Sequence, residues 1–113
     1  MKFVIAVIQP HKLEAVLKEL DKAEIFLKTV SNVLGCGRQK GKTEVYRGHK
    51  ETGNLIKKVR LEIAVNEQFL EATIKAIVTG AQTHQIGDGK IFVMDMEECV
   101  RIRTGERGVV AIG

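Results

Sequence analysis

Three short clusters in the chain combine glycine with Lys or Arg: Gly35-Cys36-Gly37-Arg38-Gln39-Lys40-Gly41, Gly87-Asp88-Gly89-Lys90, and Arg101-Ile102-Arg103-Thr104-Gly105-Glu106. Glycine lets backbone N–H groups approach phosphate oxygens, and the cationic side chains supply the compensating charge. The chemistry these clusters favour is binding of a small polyanion. Each is a weak signal alone, since a Gly-Asp-Gly step is ordinarily a turn. The second cluster is not a Walker A loop: Lys90 is followed by Ile91 rather than Ser or Thr, and a strand pattern follows where a helix is required. Arg101 and Arg103 alternate with Val100 and Ile102, a spacing that on a strand projects both guanidinium groups from one face. A polyphosphate would neutralise that pair together with Lys90.

Catalytic groups are not arranged for work. No Ser-His-Asp or Cys-His pattern and no metal-type His or Cys spacing is present. His11, His49 and His84 are scattered, and the adjacent Glu97 and Glu98 point apart on any regular element. Cys36 and Cys99 read as unpaired thiols. The expectation is a protein that is not an enzyme.

The elements that position these clusters follow from hydrophobic periodicity. Lys2 to Ile8 is a continuous apolar run, as in a strand buried on both faces. Pro10 opens a helix with Leu13, Val16, Leu17 and Leu20 at helical spacing. A second strand is expected from Leu27 to Leu34. Val59, Leu61, Ile63 and Val65 alternate with Arg60, Glu62 and Ala64, giving a third strand with Lys58 on the polar side. Asn66 is expected to cap a second helix carrying Phe69, Leu70, Thr73, Ile74, Ile77 and Val78. A fourth strand is expected from Ile91 to Met96, and the ending VRIRTGERG suggests one more short strand. The order β-α-β-β-α-β predicts an α+β, ferredoxin-like unit whose helices cover one face of an antiparallel sheet. Because the first strand is apolar on both faces, the uncovered face is expected to meet another copy of the chain.

Gly37 to Asn54 joins the second and third strands and far exceeds the about 2–5 residues of an ordinary hairpin loop, so a functional segment is expected. The whole chain, 113 residues with 44% hydrophobic and 28% charged residues, has the size and composition of one globular domain. The start MKFVIAVIQP is broken at Pro10 and is too short for a secretory signal, and nothing reaches transmembrane length, so a cytoplasmic location is expected. The net charge is +4, yet the basic residues sit beside glycines, and the chain has one Tyr and no Trp. A nucleic-acid platform needs stacking rings, which Lys58 to Val65 lacks entirely; an RNA-binding module is set aside in favour of small anionic ligands.

The string GCGRQKGKTEVYRG, the segment QTHQIGDGKIFV and the ending RIRTGERG resemble, in this order, the three signature stretches of the PII nitrogen-regulatory family, over nearly the whole chain. The resemblance implies one domain, 1–113, with a T-loop at 37–54, a B-loop at 82–90 and a C-terminal loop at 101–113. It implies a homotrimer of ferredoxin-like subunits with sheets facing inward, and ATP or ADP in clefts between neighbours. The positions matching the family's nucleotide contacts are Thr29, Gly35, Gly37, Arg38, Glu62, Gly87, Asp88, Gly89, Lys90, Arg101 and Arg103. Gln39 matches the link to Mg²⁺ and 2-oxoglutarate, and Lys58 matches the lysine that pairs with the 2-oxoglutarate carboxylate. Mg²⁺ is expected with ATP rather than in a site of protein ligands alone. Through the T-loop residues Tyr46, Arg47, His49, Lys50 and Glu51 the family pattern implies docking on a regulated protein, such as an ammonium transporter or a metabolic enzyme. Neither nucleic acid nor a membrane is expected as a direct partner.

This sequence departs from that pattern in several places. Glu51 stands where many members carry a uridylylated tyrosine, and His49 where others carry a phosphorylated serine, so control by small molecules is implied. Tyr46 matches a different, unmodified tyrosine. Gln9 replaces a common basic residue that helps hold 2-oxoglutarate, a loss worth about 1.5–3 kcal/mol, or one to two orders of magnitude in affinity. Leu27, Cys36 and Lys57 stand where Gly, Phe and Pro are common. Two alternatives remain open: a paralogue sensing the adenylate ratio or another anion such as bicarbonate, outside central nitrogen control, and a slow hydrolysis of ATP for which no general base is evident.

Overall fold

The computed structural model describes residues 1–36 and 55–113. The elements are β1 (Lys2–Ile8), α1 (Leu13–Lys22), β2 (Thr29–Cys36), β3 (Leu55–Val65), α2 (Leu70–Ala81), β4 (Gly89–Asp95) and a short helix α3 (Val109–Ile112). A single 3₁₀ turn leads into each long helix, Pro10–Lys12 before α1 and Glu67–Phe69 before α2. Pro10 has no N–H to leave unpaired and its fixed φ suits the first helical position.

Among the described residues the strands form one antiparallel sheet in the order β2-β3-β1-β4. Register is fixed by pattern: Val4 faces Ile63 and Ala6 faces Leu61 across β1 and β3, so the residues of one parity are all apolar and lie under the helices. Val4, Ala6, Ile8, Val59, Leu61, Ile63 and Val65 are buried there against Val16, Leu20, Ala76 and Ile77. The opposite parity, Phe3, Ile5 and Val7 with Arg60, Glu62 and Ala64, lines a face that none of the described helices covers. On β4, Phe92 and Met94 continue that open face and are exposed. The α+β, ferredoxin-like class expected from the sequence is the one observed.

The helices touch closely at Gly80, where a Cβ would lie 2.7 Å from the Cα of Val16. Backbone cannot yield as a side-chain tip can. Gly80→Ala is therefore expected to destabilise the fold by about 1–3 kcal/mol despite alanine's better helix propensity, read as a lower urea midpoint at unchanged slope.

Five local expectations need correction. The second strand begins at Thr29, not Leu27, because residues 23–28 close the end of α1: Ile25 N donates to Leu20 O at 2.9 Å, Glu24 N to Asp21 O at 2.9 Å, and Glu24 takes the left-handed φ of 62° that this closure needs. Lys28 is tied back as well, to Asp21 Oδ1 at 2.9 Å. That strand also runs on past Leu34 to Cys36. Asn66 does not cap α2 with its side chain; its Nδ2 donates to Val109 O at 3.3 Å, while its own carbonyl accepts from Phe69 N. The third strand begins earlier than Val59, at Leu55, and the fourth begins at Gly89, which pairs with Ile8. The extra C-terminal strand is not formed: only a β-bridge joins Val100 to Arg107, and the residues between them turn. Gly105 N donates to Arg101 O at 2.7 Å, so Arg101 and Arg103 sit in a tight turn rather than on one strand face.

Candidate functional site

Gly35, Lys58, Gly87, Asp88, Gly89 and Lys90 are gathered at one end of the sheet, where β1 finishes at Ile8. Lys58 projects from β3 and its Nζ donates to Gly87 O at 3.0 Å, linking the strand to the 82–90 loop. Its Cγ lies 3.5 Å from where a Cβ on Gly35 would stand, an ordinary van der Waals distance, so the lysine stem packs beside Gly35 across β2 and β3. Lys90 is exposed and faces Val7 in register, on the open side of the sheet.

The loop itself is built by Asp88. One carboxylate oxygen accepts from Thr83 N at 2.7 Å and His84 N at 2.9 Å, and the other accepts from the Thr83 hydroxyl. Those hydrogen bonds, the Thr83 hydroxyl first, hold the Asp88 carboxyl below its ordinary value. The ionised clamp is fully present above the ordinary carboxyl range, and its contribution is lost as pH falls through the lowered value. Gly87 and Gly89 adopt φ of 105° and 114°, and His84 adopts 67°. A Cβ on Gly89 would sit 1.9 Å from Val7 O, so β4 can approach β1 only if this residue has no side chain.

The remaining candidates lie elsewhere. Thr29 opens β2 and pairs with Glu62 across the open face. Arg60 Nε lies 2.9 Å from Glu62 Oε2, within ion-pair distance. The C-terminal segment is anchored at the opposite end of the sheet from Gly89: Met96 N donates to Met1 O at 3.0 Å, and Asn66, just past the end of β3, donates to Val109 O. There Arg101 is held by its own segment, paired with Glu106 and donating from Nη2 to Val110 O at 2.9 Å, whereas Arg103 is exposed. The two ends are separated by the length of β1, about 20 Å for a seven-residue strand. In one chain, then, the Gly-Lys loop and the Arg turn are not brought together.

Gly37, Arg38, Gln39, Tyr46, Arg47, His49, Lys50 and Glu51 lie outside the described residues. Thr83 is the residue the sequence reading missed; its only signal was a hydroxyl five positions ahead of an aspartate in a Gly-rich turn. Among the described residues no three His, Cys, Asp or Glu side chains converge as a metal site, and no helix is long and apolar enough to cross a membrane. A hollow of about 610 Å³ is lined by Pro10, Asn32, Val33, Leu34, Lys57 and Lys58.

A single antiparallel sheet backed by two helices, with a Gly-Asp-Gly-Lys turn at one end and an Arg-rich turn at the other, defines an α+β protein with glycine-basic turns at both ends of its sheet. The family model described as nitrogen regulatory protein P-II matches residues 1–106, and the chain belongs to that family of nitrogen regulatory signalling proteins. Nitrogen regulatory protein GlnK1 of Methanosarcina mazei is 52% identical, covering 99% of this chain and 97% of its own length. Nitrogen regulatory protein P-II of Mesorhizobium japonicum is 46% identical over 99% of this chain and all of its own, and nitrogen regulatory protein P-II 2 of Methanothermobacter thermautotrophicus is 46% identical over 99% and 97%.

Proposed function

We propose that the chain is a P-II-type signal transducer that binds ATP or ADP in clefts between the subunits of a homotrimer and controls a partner protein through residues 37–54. One observation carries this reading: the two cationic half-sites stand at opposite ends of one sheet, too far apart for a single nucleotide to bridge within a chain. A neighbouring copy packed against the uncovered apolar face supplies the missing half. Gly35, Gly87, Gly89 and Lys90 of one subunit hold the phosphates together with Gly37 and Arg38. Thr29, Glu62, Arg101 and Arg103 come from the next. Mg²⁺ arrives with ATP, and Gln39 and Lys58 are the residues that would meet 2-oxoglutarate. Ligand state then biases the 37–54 segment between arrangements, and the partner, an ammonium transporter or a metabolic enzyme, selects one.

A second reading is favoured by the hollow beside Lys57 and Lys58, whose volume lies in the range of small-molecule pockets. With Gln9 in place of a basic residue, another small anion takes the role of 2-oxoglutarate there. Calorimetric titration separates the two. ATP and ADP are expected to bind in both, whereas tightening of ATP·Mg²⁺ binding by 2-oxoglutarate is expected only in the first. An effect of bicarbonate without one of 2-oxoglutarate selects the second. No heat from either nucleotide at millimolar concentration contradicts both.

A further inference from the structure

We propose that Asp88 is a positioning residue that acts through the 82–90 loop and does not itself touch the nucleotide. The proposal rests on the nucleotide reading above and refines it. An acidic side chain in a phosphate-binding turn is electrostatically wrong if it faces the ligand. In this structure it faces inward. Its two oxygens accept from Thr83 N, His84 N and the Thr83 hydroxyl, and the Thr83 oxygen in turn accepts from Gln85 N at 3.3 Å. The N–H groups of residues 83–85 are thereby used inside the loop, which leaves the Gly87–Lys90 side to meet an anion.

The same clamp explains the conformation of His84. A non-glycine residue at φ 67° is costly and is kept only where its surroundings hold it. Here its N–H is directed at the Asp88 carboxylate. Asp88 N donates to Gln85 O at 3.4 Å, closing the turn from its other side. Gly87 and Gly89, on either side of Asp88, both have φ above 100° and take the sharp bends that follow. Lowering of the Asp88 carboxyl by Thr83 agrees with a carboxylate that works as an ionised acceptor.

Binding of ATP and ADP to Asp88→Ala, Asp88→Asn and Thr83→Val tests this. Asp88→Ala is expected to weaken both nucleotides alike, by about tenfold or more, with oligomer mass unchanged. Asp88→Asn is expected to return to within about threefold of wild type, because its amide oxygen can accept both N–H bonds while its NH₂ donates to the Thr83 hydroxyl. Thr83→Val falls between them and serves if the alanine variant does not fold. Amide hydrogen exchange at Thr83 and His84 reads the loop without ligand: faster exchange is expected in Asp88→Ala and near-native exchange in Asp88→Asn. Wild-type or tighter affinity in Asp88→Ala overturns the proposal, as does an Asn variant as weak as the Ala variant or a loss confined to ATP·Mg²⁺, either of which would place the charge on the ligand. If wild type binds no nucleotide, the nucleotide reading fails and the positioning role falls with it, even where the exchange pattern is as expected.

Discussion

Replacing Gly89 by Ala is expected to cost about 3 kcal/mol of folding stability or more, and to weaken nucleotide binding at least about tenfold. Two effects add at this position. The residue holds φ 114°, which an L side chain rarely adopts, and its Cβ would lie 1.9 Å from Val7 O and 3.0 Å from Val7 C. Both atoms are backbone of β1, which is pinned between β3 and β4, so β4 must retreat and carry Lys90 with it. Gly105→Ala is the control. Its φ of 75° is also left-handed, but a Cβ there meets nothing within 4 Å. The control should lose only the conformational part, about 1 kcal/mol. Denaturant unfolding of both variants measures the difference, and a Gly89→Ala protein within about 1 kcal/mol of wild type would show that β4 is not held this close to Val7.

The second large effect concerns assembly. Lys90→Ala and Arg103→Ala should each weaken nucleotide binding by about one to two orders of magnitude, the cost of one charge-assisted contact. Co-expressed, they should restore it in part. In the proposed trimer a cleft takes Lys90 from one subunit and Arg103 from the next, so an intact cleft would form wherever an Arg103→Ala chain supplies the loop and a Lys90→Ala chain supplies the turn. Every mixed ring of three contains one such junction, and random equal mixing makes roughly a quarter of all clefts wild type. A tight-binding fraction near that size is expected. Its complete absence, with mixed trimers shown to form, would mean that both residues serve the same cleft from one chain or serve none.

How far the residues themselves disclose this arrangement differs from element to element. The third strand was legible because Val59, Leu61, Ile63 and Val65 are buried and the alternate residues are not, a pattern fixed by the pleat. The first helix was legible from Leu13 to Leu20 for the equivalent helical reason. Strand edges were less so: Leu27 is as apolar as a strand residue, but the closure of α1 claims the chain up to Lys28 through hydrogen bonds that hydrophobic pattern does not record. Alternation in Val100 to Arg103 suggested a strand that the Thr104-Gly105 turn cuts short. At the site, the three glycine-basic clusters were visible in the order of the residues, yet the separation of the Gly87–Lys90 turn from the Arg101–Glu106 turn to opposite ends of the sheet required the pairing of β1 with both β3 and β4. The role of Asp88 was not visible. A carboxylate that folds onto Thr83 has the same letter as one that faces a ligand.

The direct measurement is native mass spectrometry of the wild-type protein titrated with ATP and ADP. A trimer taking up successive nucleotides, to about one for each subunit interface, is the expected result. A monomer that binds one nucleotide by itself, or a trimer that binds none at millimolar concentration, would contradict a nucleotide site completed by a neighbouring chain.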